Sequence, residues 1–234
     1  MYGVVIHVQK LTDFSPRDSI IKLVVSRPDG ETETLNVHQG VLCKHSEFFK
    51  RMMKPEWTSM RKSPNIIDLP NETVNTMSDY VKWLYAGSMP LTLCNADGND
   101  KREQVAEEAE KIFVMLANAY VFGEKIVDVR YKNAILRAAA AAKKSSKWNM
   151  GPESVAIVYD GTPPGSSFRR MIAESMACLA HDDAEKGVGW MSFIDGYSKE
   201  ALADALKATI RFRCKVDDDA LKAANSLDSY LEKE

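Results

Sequence analysis

The chain has 234 residues, of which 45% are hydrophobic and 27% charged, a composition ordinary for a globular protein with a sizeable core. Its 31 basic and 33 acidic residues give a formal net charge of −2, which argues against nucleic acid as a partner because nucleic-acid modules usually carry a basic stripe. No stretch approaches the roughly 20 apolar residues that a membrane span requires. The short apolar run near the N-terminus is interrupted by His7 and does not predict a signal peptide.

The first predicted elements are strands. Residues 3–8 are β-prone and predict an edge strand, and the β-branched run 20–25 predicts a strand covered on both faces. Arg27-Pro28-Asp29-Gly30 has the residues of a tight turn, and residues 32–37 return as a second strand. Together they predict a β-hairpin.

Two short helices are predicted over residues 38–53. Ser46 is a candidate N-cap for the second helix, and a large apolar set recurs at helical spacing behind it: Phe48, Phe49, Met52 and Met53. Burying each such side chain would stabilise the fold by roughly 1.5–3 kcal/mol, so we expect this corner to lie in the core.

A polar loop with one helical turn is predicted over residues 54–64, followed by a short strand at 65–69. Asn71 is a candidate N-cap for the next helix, and Gly87 suits the left-handed position past its end. The apolar face predicted for this helix consists of Val74, Met77, Val81, Leu84 and Tyr85.

Two longer helices are predicted next, one from Arg102 to Gly123 and one from Glu124 to about Ala142. The first has an apolar stripe of Val105, Ala109, Ile112, Phe113, Leu116 and Tyr120, and the second turns inward Ile126, Val129, Ile135 and Leu136.

Several of these segments resemble the signature of the BTB/POZ family: a strand, His38-x-x-x-Leu42, Ser46-x-Phe48-Phe49 with a methionine close behind, a short third strand at 65–70, and Leu84-Tyr85-x-Gly87. The match covers about residues 18–90. It implies an α+β fold in which a small sheet is surrounded by helices. The expected BTB/POZ domain spans residues 18–142, and the polar stretch 143–151 predicts a linker.

The remaining residues, 152–234, predict an all-helical C-terminal region. One helix is expected at 152–159, a second begins after a cap at Ser166 or Ser167, and a third is expected at 198–209. The order Val158-Tyr159-x-x-Thr162, then Ser167-Phe168-Arg169-Arg170, is similar to the helical tails that follow BTB domains in many fungal proteins. Three aromatic residues in this region are candidate exposed anchors, with core packing as the alternative for each: Phe168, Trp190 and Phe193.

No catalytic, cofactor or metal site is predicted. The glycine-containing run 161–167 lacks the spacing and the lysine of a phosphate-binding loop, and no G-x-S-x-G motif is present. A zinc site needs four convergent ligands, whereas Cys43 and its neighbours His38 and His45 have no second cluster to complete one. Four widely separated cysteines without a C-x-x-C pair predict reduced thiols in a cytoplasmic or nuclear protein: Cys43, Cys94, Cys178 and Cys214.

The BTB/POZ resemblance implies a non-catalytic scaffold or recruitment protein whose partners are other proteins. The alternative is a substrate adaptor of a cullin-3 ubiquitin ligase. Cullin-binding members carry an apolar-x-Glu motif before the third strand, and the matching residues here are Trp57-Thr58-Ser59, with serine where glutamate is expected. Glu56 could substitute from a different angle. The candidate interaction residues are therefore Met53, Glu56, Trp57 and Ser59.

The resemblance also bears on self-association. Family members that pair strongly carry a helix before the first strand, and only about seventeen residues precede Asp18 here. We therefore expect a monomer or a weak homodimer.

Overall fold

A computed structural model describes residues 15–92 except 16, 28 and 90, together with residues 102–180 and 190–212. The strand predicted at residues 3–8 lies outside these ranges. The chain divides into two compact units, Met1–Arg169 and Arg170–Glu234. No helix in the described ranges is long and apolar enough to cross a membrane.

The first unit contains a three-stranded sheet, ordered β2-β1-β3, whose strands are β1 Ile20–Ser26, β2 Thr32–His38 and β3 Ile66–Leu69. β1 pairs antiparallel with β2 and parallel with β3. The predicted hairpin is confirmed, and its turn closes with a 3.0 Å hydrogen bond from the Gly30 amide to the Arg27 carbonyl. Gly30 has a φ of 85°, a conformation that glycine adopts without steric cost.

β1 is buried on one face only, so the prediction of cover on both faces was wrong. Ile21, Leu23 and Val25 have no exposed surface, whereas Ile20 is 41% exposed on the opposite face. β-Branched residues suit any pleated strand, and their clustering therefore does not reveal whether one face or both are buried.

The helical corner follows β2 as α1 (Gln39–Cys43) and α2 (Glu47–Met52), and α3 (Pro55–Thr58) is the predicted turn of helix. Leu42 and Phe49 are completely buried, while Phe48, Met52 and Met53 are half-buried. Ser46 caps α2 as predicted, because its hydroxyl accepts a 3.2 Å hydrogen bond from the Phe49 amide.

α4 runs from Val74 to Ala86 and differs from its predicted pattern in two respects. Its N-cap is Thr73, whose hydroxyl accepts from the Thr76 amide, and not Asn71. Its buried face is formed by Met77, Tyr80 and Trp83, whereas Val74, Val81, Leu84 and Tyr85 are half-buried. Tyr80 and Trp83 each carry a polar atom, but their large rings bury more apolar area than the aliphatic side chains would. The buried face of α4 therefore includes them.

α5 (Arg102–Lys125) begins at the predicted residue but continues past Gly123, and α6 begins later, over Val129–Ser146. Ile126 and Ile135 are buried as predicted, while Leu136 is half-buried and Val129 is 58% exposed. The N-cap of α6 is the fully buried Asp128, preceded by Val127 at a φ of 52°.

α7 spans Pro152–Gly161, and α8 spans Ser167–Leu179 across the boundary between the units. Ser166 is the cap of α8, accepting from the Arg169 amide at 3.4 Å. The second unit also contains a 3₁₀ helix, Trp190–Gly196, and α9, Lys199–Phe212.

Candidate functional site

The segment between α2 and β3 contains all four candidate residues. Met53 leaves the helical conformation after α2, and Lys54 is extended ahead of Pro55. Proline suits the first position of a helix because its fixed φ is already helical and its missing N–H would have no partner there. The sequence therefore ends α2 and restarts the chain as α3 on the surface.

Trp57 is the main apolar feature of this segment. It is 56% exposed on α3, and Met60 directly after the helix is 79% exposed. Glu56 is exposed beside Trp57, and Met53 is half-buried. Large apolar side chains exposed close together are typical of protein contact sites.

Ser59 is also exposed, but its hydroxyl donates a 3.3 Å hydrogen bond back to the Glu56 carbonyl. The serine side chain is short and engaged with its own helical turn. It therefore cannot reach outward as the glutamate of the apolar-x-Glu motif would.

Arg61 fixes the segment to the rest of the first unit. One terminal nitrogen donates to the Ile66 carbonyl at 2.9 Å, at the start of β3, and the other donates to the Met52 carbonyl at the end of α2. The second nitrogen also lies 3.9 Å from the Met53 sulfur. Sequence reasoning did not single out Arg61, because a lone arginine in a polar loop gives no pattern that reveals contacts with backbone carbonyls.

The segment is basic. Residues 44–62 contain six lysines and arginines and two glutamates, a net charge of +4 in a chain whose total is −2. Arg51, Lys54 and Lys62 are exposed, and the described residues offer none of them an ion pair. We name the exposed side chains of residues 50–62 the Trp57 surface.

Two titratable side chains beside this surface have lowered pKa values. The pKa of the Glu47 carboxyl is lowered, mainly by its 2.5 Å hydrogen bond and ion pair with Lys50 and further by Arg51 and Lys54. The pKa of His45 is lowered by burial, by Arg130 and by the charges of Lys44 and Lys50, against an opposing effect of Asp128. The Glu47 shift is the one expected from a positive local potential, whereas burial is the largest cause of the His45 shift.

α2 is held in place from the opposite side by the corner between α5 and α6. The Ser46 hydroxyl donates a 2.7 Å hydrogen bond to the Ile126 carbonyl, which also accepts from the Phe48 amide at 3.3 Å. Arg130 lies 2.6 Å from Nε2 of His45. The start of α2 is therefore fixed mainly by a backbone carbonyl 80 residues further along the chain.

The aromatic candidates of the C-terminal region differ in exposure. Phe168 has no exposed surface and packs against Tyr120 with ring centroids 5.0 Å apart, as the core alternative predicted. Trp190 is half-buried and stacks on Tyr197 at 5.6 Å, whereas Phe193 is 45% exposed. Within the second unit, Trp190 and Tyr197 line a shallow apolar groove between the 3₁₀ helix, α8 and α9.

The residues near Cys43 do not form a metal site. Across the described ranges, no group of three or more His, Cys, Asp or Glu side chains could hold a metal ion. His38 instead meets the Tyr85 hydroxyl, with Nδ1 2.7 Å from it, and its amide donates to the same oxygen at 3.0 Å.

Residues 21–115 match the family model of the BTB/POZ domain. The matched range begins in β1, includes the whole Trp57 surface and ends within α5. It confirms the resemblance drawn from residues 18–90 and the α+β fold class. No curated protein matches the chain.

Proposed function

Because the chain contains a BTB/POZ domain, which is a protein-interaction module, we propose that it acts as a non-catalytic scaffold or recruitment protein and binds its partner through the Trp57 surface. One observation supports this site above all others. An exposed tryptophan stands on a helical turn whose two flanks are fixed by Arg61. Tryptophan and arginine are the residues most enriched at the energetic centre of protein interfaces.

Affinity purification of the full chain, compared with Trp57→Ala, tests the proposal. Since Trp57 is largely exposed, the variant should keep the thermal unfolding midpoint while losing the partners that bind this surface. Leu206→Ala is a matched control, because Leu206 is 60% exposed on α9 in the second unit. Partners retained by Trp57→Ala but lost by the control would contradict the proposed site.

Adaptor function for cullin-3 is a second candidate, supported by the exposed Trp57 at the apolar position of the apolar-x-Glu motif. Its distinguishing test is Ser59→Glu, which supplies the expected carboxylate two residues after the tryptophan. Purified cullin-3 should bind Ser59→Glu more tightly than the natural chain, while Ser63→Glu, also at an exposed site, should have no effect. If neither the natural chain nor Ser59→Glu binds, the adaptor role is excluded and the scaffold role is not affected.

The proposal extends to the rest of the chain. We take the domain as residues 18–142, the linker as 143–151 and the helical region as 152–234, with the first four linker residues forming the end of α6. We further propose a cytoplasmic or nuclear protein that is a monomer or a weak homodimer. Light scattering coupled to size exclusion at several concentrations tests the last point, and a tight dimer would contradict it.

A further inference from the structure

We infer that the Trp57 surface binds an acidic protein segment that places an apolar side chain against Trp57. This inference rests on the proposed function, since it states the chemistry of the partner at the same surface.

Charge is the first argument. Arg51, Lys54 and Lys62 are exposed cations, and within the described ranges no carboxylate pairs with them. Arg61 adds a fourth positive charge, and its terminal nitrogens contact two backbone carbonyls and a methionine sulfur. A partner with carboxylates would meet cations that have no competing ion pair in the part of the domain that the structure describes, which favours both fast association and specificity.

The second argument is the position of the apolar side chains among these cations. The Trp57 amide donates to the Lys54 carbonyl at 3.0 Å, so the tryptophan lies one helical turn from that lysine. Met60 follows with 79% exposure, next to Arg61 and Lys62. A partner must therefore offer an apolar residue flanked by carboxylates. A segment with only one of these features would make either the apolar contact or the ion pairs, but not both.

The third argument is rigidity. Arg61 joins the end of α2 to the start of β3, and the Thr58 and Ser59 amides donate to the carbonyls of Lys54 and Pro55, both at 3.0 Å. A surface already ordered in the free protein loses less conformational entropy on binding, which allows a short linear segment to bind measurably.

A nucleic acid would also meet the cations, but the overall charge of the chain favours a protein segment. The whole chain has a net charge of −2, whereas nucleic-acid binding depends on broad positive charge.

The experiment begins with a random peptide library panned against the immobilised full chain. The most enriched peptide is then synthesised with a fluorescent label, together with a version in which each Asp and Glu is replaced by Asn and Gln. Fluorescence anisotropy measures the affinity of both for the natural chain and for Arg51→Glu, Lys54→Glu and Trp57→Ala. Arg137→Glu is the matched control, because Arg137 is an exposed cation on α6.

We expect the enriched peptides to combine Asp or Glu with one large apolar residue. Each charge reversal at the Trp57 surface should weaken binding by roughly tenfold, as should the amide peptide, while Arg137→Glu should leave it unchanged. Added salt should weaken binding in the natural chain more than in Lys54→Glu.

The inference and the proposed function fail in different ways. Peptides that are not acidic, that lose affinity with Trp57→Ala and that are insensitive to the charge reversals would overturn the inference and leave the proposed function in place. Peptides insensitive to both Trp57→Ala and the charge reversals would overturn both. A labelled single-stranded oligonucleotide that binds as tightly as the acidic peptide, and is lost with the same variants, would replace the protein segment by a nucleic acid.

Discussion

The hydroxyl of Tyr80 donates a 3.0 Å hydrogen bond to Oδ2 of Asp128, and neither residue has any exposed surface. Oδ1 of the same carboxylate accepts a 2.9 Å hydrogen bond from the Tyr131 amide in the first turn of α6. One buried side chain therefore caps α6 and ties it to the middle of α4. The pKa of the Tyr80 phenol is raised well above its ordinary value, mainly by burial and then by Asp128, so it keeps its proton as the donor.

Replacing Tyr80 with Phe should lower the free energy of unfolding by about 1–3 kcal/mol, because a buried carboxylate oxygen loses its donor. Tyr131→Phe is the matched control. Tyr131 is equally buried, with its ring 4.8 Å from that of Tyr80, but its hydroxyl has no hydrogen-bond partner in the described structure. The control should be within about 0.5 kcal/mol of the natural chain in urea denaturation. Equal losses in the two variants would show that the Tyr80–Asp128 bond contributes nothing.

Ser46→Ala should lower the free energy of unfolding by more than the loss of an ordinary N-cap does. The variant loses both the cap on the Phe49 amide and the 2.7 Å bond to the Ile126 carbonyl, so we expect about 2–3 kcal/mol. Thr73→Ala, which removes the exposed cap of α4, should cost about 1 kcal/mol. Thermal and chemical denaturation of the two variants gives the comparison, and a smaller loss for Ser46→Ala would be the contrary result.

Val127→Gly should stabilise the protein. Val127 has a φ of 52° and is 50% exposed, and a β-branched residue in the left-handed region is strained. We expect a gain of about 1 kcal/mol in the free energy of unfolding, since glycine relieves the strain and little packing is lost. Val129→Gly, which places glycine at the start of α6 without such strain, should destabilise instead. A loss in both variants would mean that Val127 packs more than its exposure indicates.

Lowering the pH should destabilise the natural chain more than His45→Gln. The pKa of His45 is lowered in the folded chain, chiefly by burial and Arg130, so the unfolded chain binds more protons below about pH 6.5. Stability linked to the neutral imidazole is therefore present above this pH and is lost as the pH falls. Unfolding midpoints at about pH 7.5 and pH 5.5 measure the difference, which should stay under about 1 kcal/mol because the ring is partly solvated. The same change of midpoint between the two pH values in both proteins would contradict this prediction.

Cys43 should react slowly with thiol reagents. Burial, with a smaller contribution from Asp18, raises the pKa of the Cys43 thiol to about 11, and the thiol lies 3.6 Å from the Phe49 carbonyl, to which it can donate. At about pH 8 its thiolate fraction is roughly two orders of magnitude below that of an ordinary cysteine. Iodoacetamide labelling read by peptide mass spectrometry should show Cys178, which is exposed, reacting before Cys43. The difference should disappear in denaturant, and equal rates in the folded protein would refute the expectation.

The hairpin, the Ser46 cap and the order of helices up to α9 could be predicted because each depends on residues close in the chain. Periodicity and turn residues report such local preferences directly. The start of α5 at Arg102 and the turn of helix near Trp57 belong to the same class.

What could not be predicted depends on contacts between distant residues. Asp128 reads as an ordinary charged residue in sequence, and only the proximity of Tyr80 makes it a buried cap. Arg61 is a similar case, since its partners are carbonyl groups that exist at every position of the chain. The Trp57 surface was predicted from the motif at Trp57-Thr58-Ser59, and its excess of basic residues is visible in the sequence. Only the structure reveals that Arg51, Lys54 and Lys62 have no ion pair among the described residues.

The mixed pairing of the sheet has a consequence for the order in which the domain assembles. β1 and β2 are neighbours along the chain, whereas the parallel partners Lys22 and Ile66 are separated by the whole of α1–α3. Closing that longer loop loses more chain entropy than closing the hairpin does. We therefore expect β3 to join the sheet after the hairpin has formed, and the turn of helix that displays Trp57 lies within the loop that this step closes.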